Sequence, residues 1–111
     1  METQIKILLL EEAEKFMAKC SHEAAKKIAK TFDLVEAGCI NSQHFKKIKG
    51  TEIWEFREEY ESNAYRLLAF WDKKKRSLIV ATHGFIKKTQ KTPKKEIDKA
   101  EQIRKEYYNN K

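Results

Sequence analysis

A chain of 111 residues, 41% hydrophobic and 11% aromatic, can close one modest core but not two, so a single domain over residues 1–111 is expected. The net charge of +7 is unevenly placed: residues 1–62 carry ten Lys/Arg against twelve Asp/Glu, and residues 63–111 carry fourteen against five. That asymmetry argues against a uniformly sticky surface and for one cationic face that meets an anionic partner. The apolar patch Ile5–Leu10 is short and interrupted by Lys6, too little for a membrane span or a secretion signal, so a cytoplasmic protein with no membrane contact is expected. Cys20 and Cys39 match no metal-ligand spacing, the pair Cys20/His22 being too weak a signal, and both read as reduced packing residues with no metal or cofactor implied.

In chain order, Gln4–Leu10 reads as a short strand rich in Ile and Leu. Glu11–Lys19 has helical composition with Ala13, Phe16 and Met17 on one face. Ser21 is a plausible N-cap for a second helix reaching about Ala37, with Ala25, Ile28, Ala29, Phe32 and Val35 as its apolar stripe and Gly38 as its stop signal. The short break between the two predicts a helical hairpin. Residues 39–50 read as a loop. Three strands follow, Ile53–Glu59, Ala64–Asp72 and Leu78–Phe85, joined by hairpin-sized polar connections at Tyr60–Asn63 and Lys73–Arg76. Period-2 alternation sets Trp54 and Phe56 against Glu55 and Arg57, and Tyr65, Leu67, Ala69 and Trp71 against Arg66, Leu68 and Phe70. If the hairpin pairs these strands on one sheet, two guanidiniums converge. A last helix, Pro93 to about Tyr108, carries Ile97, Ala100, Ile103 and Tyr107 on one side.

The most informative stretch is His83 to Lys95. It leaves a strand and enters a helix at Thr92-Pro93, a hydroxyl able to cap followed by a ring whose fixed φ suits the first helical position. From Lys73 to Lys95 there are nine basic residues and no acidic one. A lysine cluster beside a strand end has no structural need, and RNA or DNA phosphate is the commonest partner for such a surface.

The strand Trp54-Glu55-Phe56-Arg57, the pair Tyr65-Arg66 and the segment Phe85-Ile86-Lys87-Lys88-Thr89-Gln90-Lys91-Thr92-Pro93 together resemble the RelE/ParE toxin superfamily, in particular its HigB-like, phage-derived branch. The resemblance spans nearly the whole chain, weakly in the helical hairpin and strongly from Lys47 onward. It implies an α+β fold: a small antiparallel sheet packed against the N-terminal helical hairpin, with its first strand at an edge and a C-terminal helix beside it. It also implies a type II toxin that enters the ribosome and cuts mRNA, bound by a cognate antitoxin of helix-turn-helix, HigA-like type, and meeting operator DNA only within that complex.

Such cleavage uses the RNA's own 2′-hydroxyl as nucleophile, so the protein must supply positive charge around the phosphorane and proton transfer at two oxygens. By resemblance, Arg57 and Arg66 match the family's phosphate-binding arginines, and Lys87 and Lys88 match the basic pair after the last strand. Lys47, Lys49, Lys88, Lys91, Lys94 and Lys95 are the candidate RNA contacts. The chain departs from members that place Tyr, or His and Asp, after the last strand, which leaves Glu55 and His83 as candidate general bases. Plainer readings stand beside these. Arg57 and Arg66 would pair with Glu55, Glu58 or Glu59; His83 would be a packed strand histidine; Lys73–Arg76 would be a solvated turn; Lys94, Lys95 and Lys99 would be a polar helix face; His22 and His44 would be surface residues. Two rival functions remain, a ParE-like gyrase inhibitor and a simple nucleic-acid-binding module.

Overall fold

The computed structural model describes residues 4–110. The elements run β1 (Lys6–Leu9), α1 (Glu11–Lys19), α2 (His22–Glu36), β2 (Phe45–Lys47), β3 (Trp54–Tyr60), β4 (Asn63–Trp71), β5 (Leu78–Lys87) and α3 (Lys94–Asn109). The five strands form one sheet in the order β1-β5-β4-β3-β2. The helices and the three long strands stand where the sequence places them, and β1 lies at an edge as expected. Two features differ. The sheet is mixed, because β1 runs parallel to β5 with Leu8 opposite Val80. The helical hairpin carries the chain from β1 across the sheet, and a crossover of that length permits a parallel partner. The expected loop at 39–50 also contains a strand, since Phe45 pairs with Phe56 and Lys47 with Trp54. Three residues are too few for alternation to reveal.

The sheet divides two cores. On one face α1 and α2 pack Ala13, Ala24, Ile28 and Val35 against Phe45, Phe56, Leu67 and Ala81. The rings of Phe45 and Phe56 stack at 4.4 Å, those of Phe45 and Trp54 at 4.9 Å, and Phe32 meets Phe56 edge-on at 4.9 Å. On the other face α3 brings Ala100, Tyr107 and Tyr108 against Ile53, Leu68, Phe70 and Val80. Gly84 permits the closest approach of α1: a Cβ there would lie 2.3 Å from the Phe16 ring.

The helix ends follow their local chemistry. Ser21 Oγ accepts from the Ala24 N–H at 3.2 Å, the cap read from the sequence. Gly38, at φ +89°, turns the chain out of α2 in the left-handed region. The buried stripe of α2 is Ala24, Ile28, Thr31 and Val35; Thr31 replaces the expected Ala29, which is exposed, because a buried carboxylate of β3 needs its hydroxyl. At α3, Pro93 occupies the cap position and no side chain caps the helix. The Thr92 hydroxyl is committed to the sheet instead, as described below.

Within β5 the register shifts by one residue: Leu68 faces His83 while Ala69 faces Ala81, so Thr82 is an inserted bulge residue. The β3–β4 hairpin closes Tyr60 on Asn63 through Glu61 and Ser62, both at positive φ. The other hairpin is pinned to α3: the Asp72 carboxylate accepts from the Lys74 and Lys75 N–H groups at 2.8 and 2.9 Å and from Tyr107 Oη at 2.7 Å. The side chains of Lys73–Arg76 are exposed, as a turn requires.

Substitution of Gly84 by alanine is expected to destabilise the protein by about 1–3 kcal/mol, because the Phe16 ring cannot retreat without losing its contacts. Urea titration of Gly84→Ala alone and combined with Phe16→Leu checks this. The double variant should recover part of the loss, and additive losses would refute the clash.

Candidate active site

The directly opposed pair on β3 and β4 is Arg57 and Arg66. Both project to the α3 face, since facing residues of an antiparallel pair share a side. Glu55, opposite Leu68, and Lys87, opposite Ala64, lie on that same face. The structure therefore brings together four of the five residues that the sequence marks as candidate catalytic groups.

Arg66 is only 3% exposed. Its Nη1 donates to the Tyr65 carbonyl at 2.9 Å, whereas its Nε, like that of Arg57, is buried without a hydrogen-bond partner among the described residues. Buried donors in native structures are nearly always satisfied, and the two unfilled guanidinium nitrogens on facing residues are able to take an anion; Arg104 Nε is likewise unfilled, on α3. Glu55 offsets part of this charge. Its Oε1 lies 3.5 Å from Arg57 Nε, and its Oε2 accepts from Thr92 Oγ1 at 2.6 Å. One buried carboxylate thus links the arginine strand to the loop that carries Lys88 and Lys91.

The electrostatics follow from burial and crowding. Desolvation pushes the Arg66 pKa below the ordinary guanidinium value; Glu55 opposes the shift and Arg57 adds to it. Lys87 is likewise lowered by desolvation, then by Arg66, with Glu55 pulling the other way. An ammonium held beside two guanidiniums gives up its proton more readily than a free lysine.

His83 stands apart from this group. It is 2% exposed beneath α3, with Nε2 3.0 Å from Glu96 Oε1 and Nδ1 3.0 Å from Thr82 Oγ1. Both ring nitrogens are therefore occupied, and the side chain anchors α3 to β5. Of the candidate RNA contacts, Lys88 and Lys91 are exposed on the loop after β5. Lys49 and Lys95 are exposed as well. Lys94 pairs with Asp98 at 2.9 Å along α3. Lys47 lies on the opposite sheet face, opposite Trp54, with Nζ 3.7 Å from Glu52. Lys46, which the sequence did not single out, pairs with Glu55 and shares the arginine face.

Beyond the end of β2 a cleft of about 300 Å³ runs around the free edge of β3, lined by Arg57, Arg66, Glu58, Glu59, Lys27 and His44. His44 and Glu58 are not among the site residues that the sequence marks, and the His44 side chain is 43% exposed, in keeping with its surface reading. His44 Nδ1 lies 2.7 Å from Glu58 Oε2, and that carboxylate also accepts from the Thr31 hydroxyl. One signal was available: in the alternation Trp54, Phe56, Glu58, Tyr60, an acid occupies a position otherwise apolar. A larger cleft, about 870 Å³, lies at the β1 end between Trp71, Lys6 and the Lys74–Arg76 turn and is remote from the arginines. Among the described residues no group of three or more His, Cys, Asp or Glu is placed to hold a metal ion, and no helix is long and apolar enough to cross a membrane.

The family model described as phage-derived protein Gp49-like (DUF891) matches residues 15–105. The chain belongs to this family. It is a RelE/HigB-like family, in keeping with the resemblance carried by the Arg57, Arg66 and Lys87–Pro93 segments. No curated relative matches the sequence. Among solved structures, the RelBE2 toxin–antitoxin complex of Mycobacterium tuberculosis superposes with a TM-score of 0.56 at 13% identity, over 77% of this chain and 100% of that one. A mutant of the E. coli toxin RelE in the free state superposes at 0.53 and 14% identity, over 74% of this chain and 82% of that one. The fold of the Gp49-like chain is thus that of RelE-type toxins of toxin–antitoxin systems.

The His83 contact has a consequence for stability. Burial lowers the His83 pKa and the Glu96 bond opposes it, with the net shift downward. The unfolded chain then takes up this proton first. The contribution is complete above the ordinary imidazole value of about 6.5 and is lost as pH falls below it, with a slope no steeper than about 1.4 kcal/mol per pH unit. Urea midpoints measured from pH 7.5 to 5 for wild type and His83→Asn should converge toward the acid end. Parallel curves would show that His83 does not titrate with folding.

Proposed function

We propose that this protein is the toxin of a type II toxin–antitoxin pair and acts as a ribosome-dependent endoribonuclease in the cytoplasm. The observation that carries the reading is the direct pairing of Arg57 with Arg66 on one sheet face, one half-buried and one buried, each with a buried Nε that has no hydrogen-bond partner among the described residues. Arg is suited to this role because its planar fork holds two phosphate oxygens at once. The 2′-hydroxyl of the RNA attacks the adjacent phosphorus, and Arg57 and Arg66 neutralise the charge that accumulates on the nonbridging oxygens. Lys87, whose proton is loosened by desolvation and by Arg66, supplies a proton to the departing 5′-oxygen. Lys88, Lys91 and Lys95 hold the flanking phosphates. Glu55 acts by position, fixing Arg57 on one side and Thr92 on the other.

An antitoxin partner is supported by the likeness to RelBE2, whose structure is a toxin–antitoxin complex. A helix-turn-helix, HigA-like protein that masks the cationic cleft and carries the pair to operator DNA fits the charge of this surface. No step of the chemistry requires a metal ion or a cofactor.

Expression of the chain without antitoxin should arrest growth, and Arg66→Ala should relieve the arrest at equal soluble abundance while lowering cleavage by at least about 10²-fold. Primer extension on cellular mRNA should place the cuts inside translated codons and leave 2′,3′-cyclic phosphate or 3′-phosphate ends. Intact mRNA with trapped gyrase would establish the gyrase-inhibitor reading instead, and intact mRNA without DNA damage would leave only nucleic-acid binding.

A further inference from the structure

Cleavage by a 2′-hydroxyl needs a base at that oxygen, and neither sequence candidate presents a free one. Both Glu55 oxygens face partners, Thr92 and Arg57, and both His83 nitrogens are occupied. The cleft that reaches Arg57 and Arg66 offers another group. His44 immediately precedes β2, and its carbonyl accepts the Arg57 N–H at 2.9 Å, so it sits directly beside the arginine strand. Its side chain is 43% exposed, while that of its partner Glu58 is 5% exposed.

The hydrogen bonds define the ring. The Glu58 carboxylate is an acceptor already taking the Thr31 hydroxyl, so the short contact to His44 Nδ1 places the ring proton on Nδ1. The neutral imidazole then has its lone pair on Nε2, for which no described residue supplies a partner. A buried carboxylate that fixes one nitrogen while the other meets a cleft is the arrangement that orients a histidine for proton transfer.

Resting on the endoribonuclease reading, we propose that His44, oriented by Glu58 and Thr31, is the general base of the arginine cleft. Its Nε2 takes the 2′-hydroxyl proton as the 2′-oxygen bonds to phosphorus. The P–O5′ bond breaks with its electron pair going to O5′, which takes a proton from Lys87. The products are a 2′,3′-cyclic phosphate and a 5′-hydroxyl. His44 then returns its proton to solvent as Lys87 regains one. The charged groups that line the cleft with this ring are Glu58, which it contacts, Glu59 and Arg57 of β3, Arg66 of β4 and Lys27 of α2. His44 is a catalytic residue in this scheme; Glu58 and Thr31 are positioning residues.

The test is single-turnover cleavage of mRNA programmed into ribosomes, measured from pH 5 to 9. In the wild type the rate should fall tenfold per pH unit on the acid side. The midpoint should match that of the His44 ring followed by NMR, which is tractable with three histidines in the chain. His44→Gln should lose that acid limb and about 10²–10⁴-fold in rate with ribosome affinity unchanged. Glu58→Gln should shift the limb and lower the rate less. A His44→Gln rate within threefold of wild type overturns the assignment of His44 alone. A wild-type limb whose midpoint differs from that of His44 overturns it equally, and does not depend on the variant folding. If the wild type cuts no RNA, the endoribonuclease reading falls and this assignment with it.

Discussion

The site depends on one constraint, two arginines facing each other across the β3–β4 ladder. Like charges directly opposed on a sheet repel, and partial burial deepens the cost because water cannot screen them. Glu55 relieves a part of it, at a distance from Arg57 that is not a full hydrogen bond. The remainder is what an anion would relieve under the proposed function. Because the strands are locked by continuous pairing from Trp54 to Tyr60, the backbone positions that carry the two arginines cannot move apart. Under the proposed function an incoming phosphate would meet two cations whose strands are already in place, the condition that favours electrostatic stabilisation.

The edge strands make the site reachable. β1 pairs only with Leu78–Ala81, and β2 only with Trp54–Phe56. At the end of the sheet that carries Arg57, Arg66 and Lys87, the three central strands continue without either neighbour. The cleft around β3 exists because β2 stops there, and His44 is the residue at which it stops. Meanwhile α3 is fixed at three places: through Glu96 on His83, through Lys99 on Glu12 of α1 at 2.7 Å, and through Tyr107 on Asp72. Thr92, just before the helix, is tied to Glu55. The lysine loop is thereby held at both ends, between a strand and an anchored helix, rather than swinging freely.

Much of this was legible in the chain. The helices and long strands announce themselves by period and by punctuation at Ser21 and Gly38, and the alternation in β3 and β4 is enough to put Arg57 and Arg66 on a common face. Three things were not legible, for physical reasons. β2 is too short to show a period. Thr92 has the chemistry of a cap, and only the approach of Glu55 from a residue 37 positions away diverts it. The His44–Glu58 contact joins a residue read as loop to a strand residue, and sequence shows an acid at an apolar position without showing what satisfies it. For Thr92 and for His44 alike, the contact is made with a partner distant along the chain.

The bulge at Thr82 sets the handedness of the site in a sense that counting residues makes plain. Side chains on a strand alternate, so an extra residue exchanges the two faces for everything that follows unless a bulge takes it up. With Thr82 present, Val80, His83, Phe85 and Lys87 all address the α3 side, as their partners Phe70, Leu68, Arg66 and Ala64 do. Were Thr82 paired in regular alternation instead of bulged out, Lys87 would turn toward α1 and α2, while Gly84 and Ile86 would take over the arginine face. The number of residues that pair, rather than the number present, then decides which way Lys87 points. A single-residue insertion or deletion between His83 and Lys87 that no bulge absorbs would act as a parity switch between an assembled cationic cluster and a dismantled one.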